Sequence, residues 1–147
     1  MEKLVLGLLL WISSHSQLAY DGDSIPQVIS VTKSELVSEM FEGRAPYALD
    51  KNRVRAIGLY NFKTSTIYLL NRIDISTTRG KSVLLHELAH YLQYKHGLNR
   101  KVKCKQQLEY LAYELQSAYL VEHDVSAGIE QSHIQKSSQC SKPKLLL

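Results

Sequence analysis

Two histidines and a glutamate near the middle of the chain have the residue types and the spacing of a metal site. His86 and His90 are four residues apart, so on an α-helix their side chains lie one turn apart on the same face. Two imidazole nitrogens at this spacing can bind one ion at the usual Zn–N distance of roughly 2.0–2.1 Å. Glu87 directly follows His86, where its carboxylate can contact a metal-bound water without binding the metal.

The segment from His86 to His90 therefore reads HExxH, which in zinc hydrolases supplies two metal ligands and a general base. A chance match is the alternative, since short motifs produce false positives. The flanking residues are apolar, however, and would partly bury the three polar side chains: Val83, Leu84, Leu85, Leu88, Ala89 and Leu92. Because buried polar groups need partners and one metal ion satisfies both imidazoles, we favour a zinc site.

A catalytic zinc ion requires a third protein ligand, and the candidates are His96, Glu109 and Glu114. His96 occupies the position of the third histidine in the metzincin pattern HExxHxxGxxH, but the glycine of that pattern is replaced by Gln93. If the helix continues through Gln93, the side chain of His96 points about 120° away from that of His90. A methionine turn is also missing, because both methionines of the chain precede the motif. The metzincin interpretation is therefore rejected.

Glu109 lies nineteen positions after His90. With this gap the chain resembles the gluzincin group of zinc metallopeptidases, in which a glutamate from the next helix completes the HExxH site. The resemblance covers roughly residues 66–119 and is better to the small single-domain members, the minigluzincins. It implies that His86, His90 and Glu109 bind Zn²⁺ and that Glu87 polarises the attacking water. It also implies a small zincin-like fold.

Several features differ from the larger gluzincins. The chain has no Asn-Glu pair around Glu109 and has Tyr113 where an aspartate is expected. Its 147 residues are expected to form one domain, without the large second domain of that group. Glu114 stays open as an alternative ligand; it lies about 140° round the helix from Glu109, so only one of the two can face the metal. Tyr113 or Tyr110 is a candidate donor to an oxyanion. Acceptors for the second nitrogen of each ligand histidine would come from Asp74, Glu114 or Gln116.

Composition indicates one folded domain. A chain of 147 residues with 22% charged residues is long enough for a core and is not typical of disorder. The net charge of +4 is mild, and the one basic run, residues 99–105, is better explained as a solvated loop than as an anion site. We therefore expect no nucleic-acid partner. The predicted metallopeptidase ligands, together with an export signal, predict a peptide or cell-envelope peptide as substrate. The sequence does not indicate an oligomeric state.

The first residues resemble a signal peptide. Leu4 to Ile12 is an apolar run that is too short for a membrane span, which needs roughly 20 residues, and is typical of a signal-peptide core. Small residues predict cleavage after Ser16, with Ala19 as the alternative and an uncleaved anchor still open. Residues 1–16 are thus a predicted signal peptide, residues 17–147 a single domain with a polar C-terminal tail, and the location secreted or periplasmic.

Export would place both cysteines in an oxidising compartment. Cys104 and Cys140 are the only cysteines, so a single disulfide between them is predicted, with two free thiols as the alternative.

The local patterns predict an α+β domain in which a short β-hairpin or sheet packs on the HExxH helix and on a following helix that carries the glutamate. The predicted elements are a strand over 27–31, a helix over 33–41, strands over 53–60 and 65–70, the HExxH helix over 79–95 with its stop at Gly97, and a helix over 104–123. The favoured function is a small exported zinc metallopeptidase or amide hydrolase. The alternatives are a non-catalytic zinc-binding module on the same fold and an interaction protein without metal.

Overall fold

The computed structural model describes residues 1–44, 49–51, 54–127 and 139–140. These residues form four α-helices and a three-stranded sheet, which confirms the predicted α+β class. The elements are α1 (Glu2–His15), β1 (Gln27–Val31), α2 (Lys33–Met40), β2 (Gly58–Asn61), β3 (Thr66–Leu70), α3 (Thr78–Lys95) and α4 (Gln106–Glu122). A 3₁₀ turn at Leu98–Arg100 lies between α3 and α4. No helix in the described ranges is long and apolar enough to cross a membrane.

The sheet has the order β1-β3-β2. β1 runs parallel to β3 and coincides with the predicted strand, whereas β2 runs antiparallel to β3 as the second arm of a hairpin. The prediction of a strand over 53–60 was wrong at its start, because β2 begins only at Gly58. Gly58 pairs with Leu69, and β3 ends one residue later at Leu70, so earlier residues have little of β3 left to pair with. The paired part of β2 is therefore limited to Gly58–Asn61.

The central helix of the domain is α3, which contacts the sheet, α1 and α4. It begins at Thr78 because the Thr77 hydroxyl accepts a hydrogen bond from the Gly80 amide at 3.0 Å. It ends where Gly97 takes a left-handed conformation, φ 71°, which glycine adopts without steric cost. Its apolar side chains are buried on most of its circumference, including Leu84, Leu85, Leu88, Ala89, Tyr91 and Leu92. The HExxH motif thus lies on a helix that is packed on most of its sides.

The partner of α3 is α4, whose buried stripe comprises Leu108, Ala112, Leu115 and Tyr119. This pair makes the most extensive helix contact in the domain. Cys104, just before α4, forms the predicted disulfide with Cys140, with the Cα atoms 5.7 Å apart. Arg100, Lys101, Lys103 and Lys105 in the basic loop are exposed. Most of the predicted polar tail lies outside the described residues.

The segment predicted as a signal peptide forms α1, and α1 packs into the main hydrophobic core. Val5, Leu8, Leu9 and Ile12 are at most 4% exposed and belong to the same cluster as the buried residues of α3. The indole Nε1 of Trp11 donates a 3.0 Å hydrogen bond to Glu122 at the end of α4. Cleavage after Ser16 would therefore remove four core side chains.

Candidate metal centre

The HExxH helix and the start of α4 bring two imidazoles and one carboxylate together. His86 and His90 project from α3, and Glu109 projects from the first turn of α4. One Glu109 carboxylate oxygen lies 2.7 Å from His90 Nε2, and the other lies 3.1 Å from His86 Nε2. The candidate ligand atoms all lie within 4.8 Å of one another. These three residues form a group that could hold a metal ion.

The donor set fits a small divalent cation. On a tetrahedral ion with bonds of roughly 2.0–2.1 Å, neighbouring ligand atoms lie roughly 3.3–3.4 Å apart. The Glu109 oxygens lie 2.7 and 3.1 Å from the two Nε2 atoms, and the three candidate ligand atoms lie within 4.8 Å of one another, which is close enough for all three to reach one ion after a local adjustment. Two imidazoles plus one carboxylate is a ligand set of catalytic zinc, which keeps a fourth position for water.

The other candidate ligands lie elsewhere. Glu114 is on α4 but is not among the residues that line the cleft containing His86 and Glu109. His96 hydrogen-bonds through Nε2 with the carbonyl oxygen of Ala19 at 2.8 Å. This contact agrees with the predicted orientation of His96 away from the motif.

The candidate ligands shift one another's pKa values strongly. Burial acts to raise the pKa of Glu109, but hydrogen bonds from His86 and His90 outweigh it and hold that pKa well below its usual range. Burial likewise acts to lower the pKa of His90, yet the hydrogen bond to Glu109 and the negative charges of Glu87 and Glu109 raise it to about 9. Without metal, the negative charge of Glu109 therefore stabilises a proton on His90.

Glu87 lies beside the cluster and is 7% exposed. Burial raises its pKa, although the nearby charges of His86 and His90 act in the opposite direction. The backbone amide of Tyr60 interacts with its carboxylate. A Cβ atom added at Gly58 would lie 3.1 Å from both Cγ and Oε1 of Glu87. The edge of β2 therefore determines how much room the Glu87 side chain has.

The second nitrogen of each imidazole contacts a glutamine. His86 Nδ1 lies 3.0 Å from Gln116 Oε1, and His90 Nδ1 lies 2.8 Å from Gln93 Oε1. Gln116 was among the predicted acceptors, whereas Asp74 instead accepts hydrogen bonds from Ser76. Sequence reasoning missed Gln93, although its position three residues after His90 on the same helix is a signal for contact.

A cleft of about 490 Å³ opens onto the cluster between the β2 edge and the two helices. Residues 55–60 form one wall, and His86, Glu87, His90, Glu109 and Tyr113 are on the other side. Within the described residues β2 pairs on one side only, with β3, so its other edge is unpaired. The Tyr113 ring centroid is 4.5 Å from that of His86, while Tyr110 is 45% exposed and does not line the cleft.

The family model described as a domain of unknown function, DUF6647, matches residues 1–145. The chain belongs to the DUF6647 family. The matched range of this DUF6647 domain includes α1, the candidate metal centre and both cysteines. No curated protein and no solved structure matches the chain.

Proposed function

We propose that this DUF6647 domain is a zinc-dependent metallopeptidase or amide hydrolase of the small gluzincin-like type. The observation that carries the proposal is the convergence of His86, His90 and Glu109 beside a buried Glu87 at the base of an open cleft. A purely structural metal site would be closed by protein ligands, whereas a catalytic site leaves one position open. The small zincin-like fold that the resemblance implies is part of the same proposal.

The chain's own residues provide the other parts of hydrolysis. Bound zinc would supply a Lewis acid and lower the pKa of a water toward about 7. Glu87 accepts the proton of the attacking water and transfers it to the leaving amine. Its raised pKa suits this role, because a carboxylate that holds a proton more tightly is a stronger base.

Tyr113 is our candidate hydrogen-bond donor to the developing oxyanion. It lines the cleft beside His86. Burial, followed by the negative charges of Glu109 and Glu87, raises its pKa. The hydroxyl therefore keeps its proton at neutral pH and acts as a donor.

The substrate that fits is an extended peptide, including the peptides of a cell envelope. The unpaired edge of β2 borders the cleft, and an exposed strand edge can bind an extended chain through backbone hydrogen bonds. We expect no nucleic-acid partner. A secreted or periplasmic location is also proposed, and the Cys104–Cys140 disulfide is compatible with it because disulfides persist in oxidising compartments.

The test compares Glu87→Gln with Glu114→Gln, a matched change on α4 away from the cleft. Purified proteins are loaded with zinc, metal content is measured, and cleavage of a peptide mixture is followed by mass spectrometry. We expect about one zinc per chain in all three proteins, cleavage by wild type and Glu114→Gln, and none by Glu87→Gln. Zinc binding without cleavage by wild type would favour the non-catalytic module, and no zinc binding would contradict the proposal.

A further inference from the structure

The two glutamines beside the cluster each connect a histidine to a backbone carbonyl on the far side. Gln93 donates through Nε2 to the carbonyl oxygen of Leu108 at 2.9 Å, next to Glu109 in the chain. Gln116 contacts Ser82 Oγ through Nε2 at 3.3 Å, and the Ser82 hydroxyl donates to the Arg79 carbonyl oxygen at 2.7 Å. Each of these two hydrogen-bonded chains therefore links α3 to α4.

The carbonyl at the end of each chain fixes the direction of every hydrogen bond in it. A carbonyl oxygen only accepts, so the Leu108 oxygen requires the NH₂ group of Gln93, and the Gln93 oxygen must then face His90. Likewise the Ser82 hydroxyl gives its hydrogen to Arg79, which leaves its oxygen to accept from the Gln116 NH₂ group.

The Gln116 oxygen must therefore face His86. In both histidines Nδ1 therefore carries a proton, because an amide oxygen accepts a hydrogen bond but does not take the proton. Nε2 of each ring faces Glu109, so Nε2 is the nitrogen that would give up any proton it carries and bind a metal, while Nδ1 stays protonated.

We propose that Gln93 and Gln116 are positioning residues that fix both histidines with Nδ1 protonated and Nε2 facing the metal. This inference rests on the proposed zinc site. Glu87 and Glu109 are the carboxylates that line the described part of the cleft. Their two negative charges would match one bound divalent cation, and the two neutral amide acceptors would add no further negative charge.

Gln116 is the better residue for a test. Gln93 is 1% exposed and supports the α3–α4 contact through Leu108, so its replacement risks the fold. Gln116 is only partly buried. Gln116→Met removes the acceptor at similar size, and Gln116→Glu keeps an acceptor oxygen for His86. Gln106→Met is the matched control, since Gln106 is exposed at the start of the same helix.

Zinc affinity is measured by competition with a chelator for the full-length wild type and the three variants. We expect a loss of roughly 10–100-fold in Gln116→Met, the usual effect of removing such an acceptor. Gln116→Glu should recover most of the affinity, and Gln106→Met should match wild type.

Proton NMR of the zinc-loaded proteins gives a second readout. Wild type should show two downfield ring N–H signals, and Gln116→Met should lose the His86 signal while keeping that of His90. Wild-type affinity in Gln116→Met, or an equal loss in Gln116→Glu, would overturn the positioning role alone. A wild type that binds no zinc would overturn the proposed site as well.

Discussion

Two adjacent leucines of α1 give a direct test of whether the apolar N-terminal segment is a core helix. Leu9 is 0% exposed, whereas Leu10 is 59% exposed. Alanine at either position preserves helix propensity, since alanine is the best helix former. Leu9→Ala and Leu10→Ala therefore differ mainly in the core contacts that each removes. Both changes are also equally mild for the apolar core of a signal peptide.

The expected effects differ severalfold. A fully buried Leu→Ala change costs about 2–5 kcal/mol of unfolding free energy, through lost burial and the cavity that remains. An exposed change usually stays within about 0.5 kcal/mol. For a domain of this size one kcal/mol corresponds to roughly 2–4 °C in Tm. Leu9→Ala should therefore melt on the order of 5–15 °C below wild type, and Leu10→Ala close to wild type.

Deletion of residues 1–16 removes all the core contacts of α1 at once and is a more severe test than Leu9→Ala. The four buried side chains of α1, Val5, Leu8, Leu9 and Ile12, each contribute about 1.5–3 kcal/mol. Their sum of about 6–12 kcal/mol is comparable to the whole stability of a typical domain, about 5–15 kcal/mol. The truncated protein should therefore not fold.

The assay is thermal unfolding followed by circular dichroism, with the intact mass recorded for each sample. The mass establishes that residues 1–16 are present in the molecules that melt. Equal melting temperatures for Leu9→Ala and Leu10→Ala in intact protein would refute the assignment of α1 to the core. A stable folded protein that starts at residue 17 would refute it as well and would support the predicted signal peptide.

Three further predictions concern the candidate centre. Glu109→Ala should lose zinc while Glu114→Ala keeps it, because only Glu109 lies with the two imidazoles; metal analysis of both variants checks this. Gly58→Ala should keep zinc but lower kcat/KM by roughly tenfold, since small displacements of a reacting group are costly and the new Cβ would lie 3.1 Å from the Glu87 carboxylate; unchanged turnover would contradict it. In metal-free protein the pKa of His90 is raised from 6.5 to about 9, so its stabilisation is complete below about pH 6.5 and disappears as the pH rises through 9. Melting temperatures measured with a chelator should fall across that range, and a flat profile would argue against the His90–Glu109 pair.

Most elements could be predicted from the sequence because their signals are local. The HExxH helix predicted over 79–95 differs by one residue from α3, Thr78–Lys95, because the spacing of His86 and His90 and the Gly97 stop are local signals. The strand at Gln27–Val31 and the Cys104–Cys140 disulfide are also confirmed. The start of β2 was wrong, because strand length depends on where the partner strand β3 ends.

The sequence by itself determined that the imidazoles of His86 and His90 share one face of a helix and that Glu87 lies beside them, since helix geometry alone sets that spacing. Only the tertiary structure decided that Glu109 rather than Glu114 meets them, and that Gln93 and Gln116 hold their second nitrogens. Those contacts depend on how α4 packs on α3, which no local pattern specifies. The packing of α1 in the core likewise depends on the tertiary structure. An apolar run has the same composition whether it is a signal peptide or a helix that the rest of the domain buries.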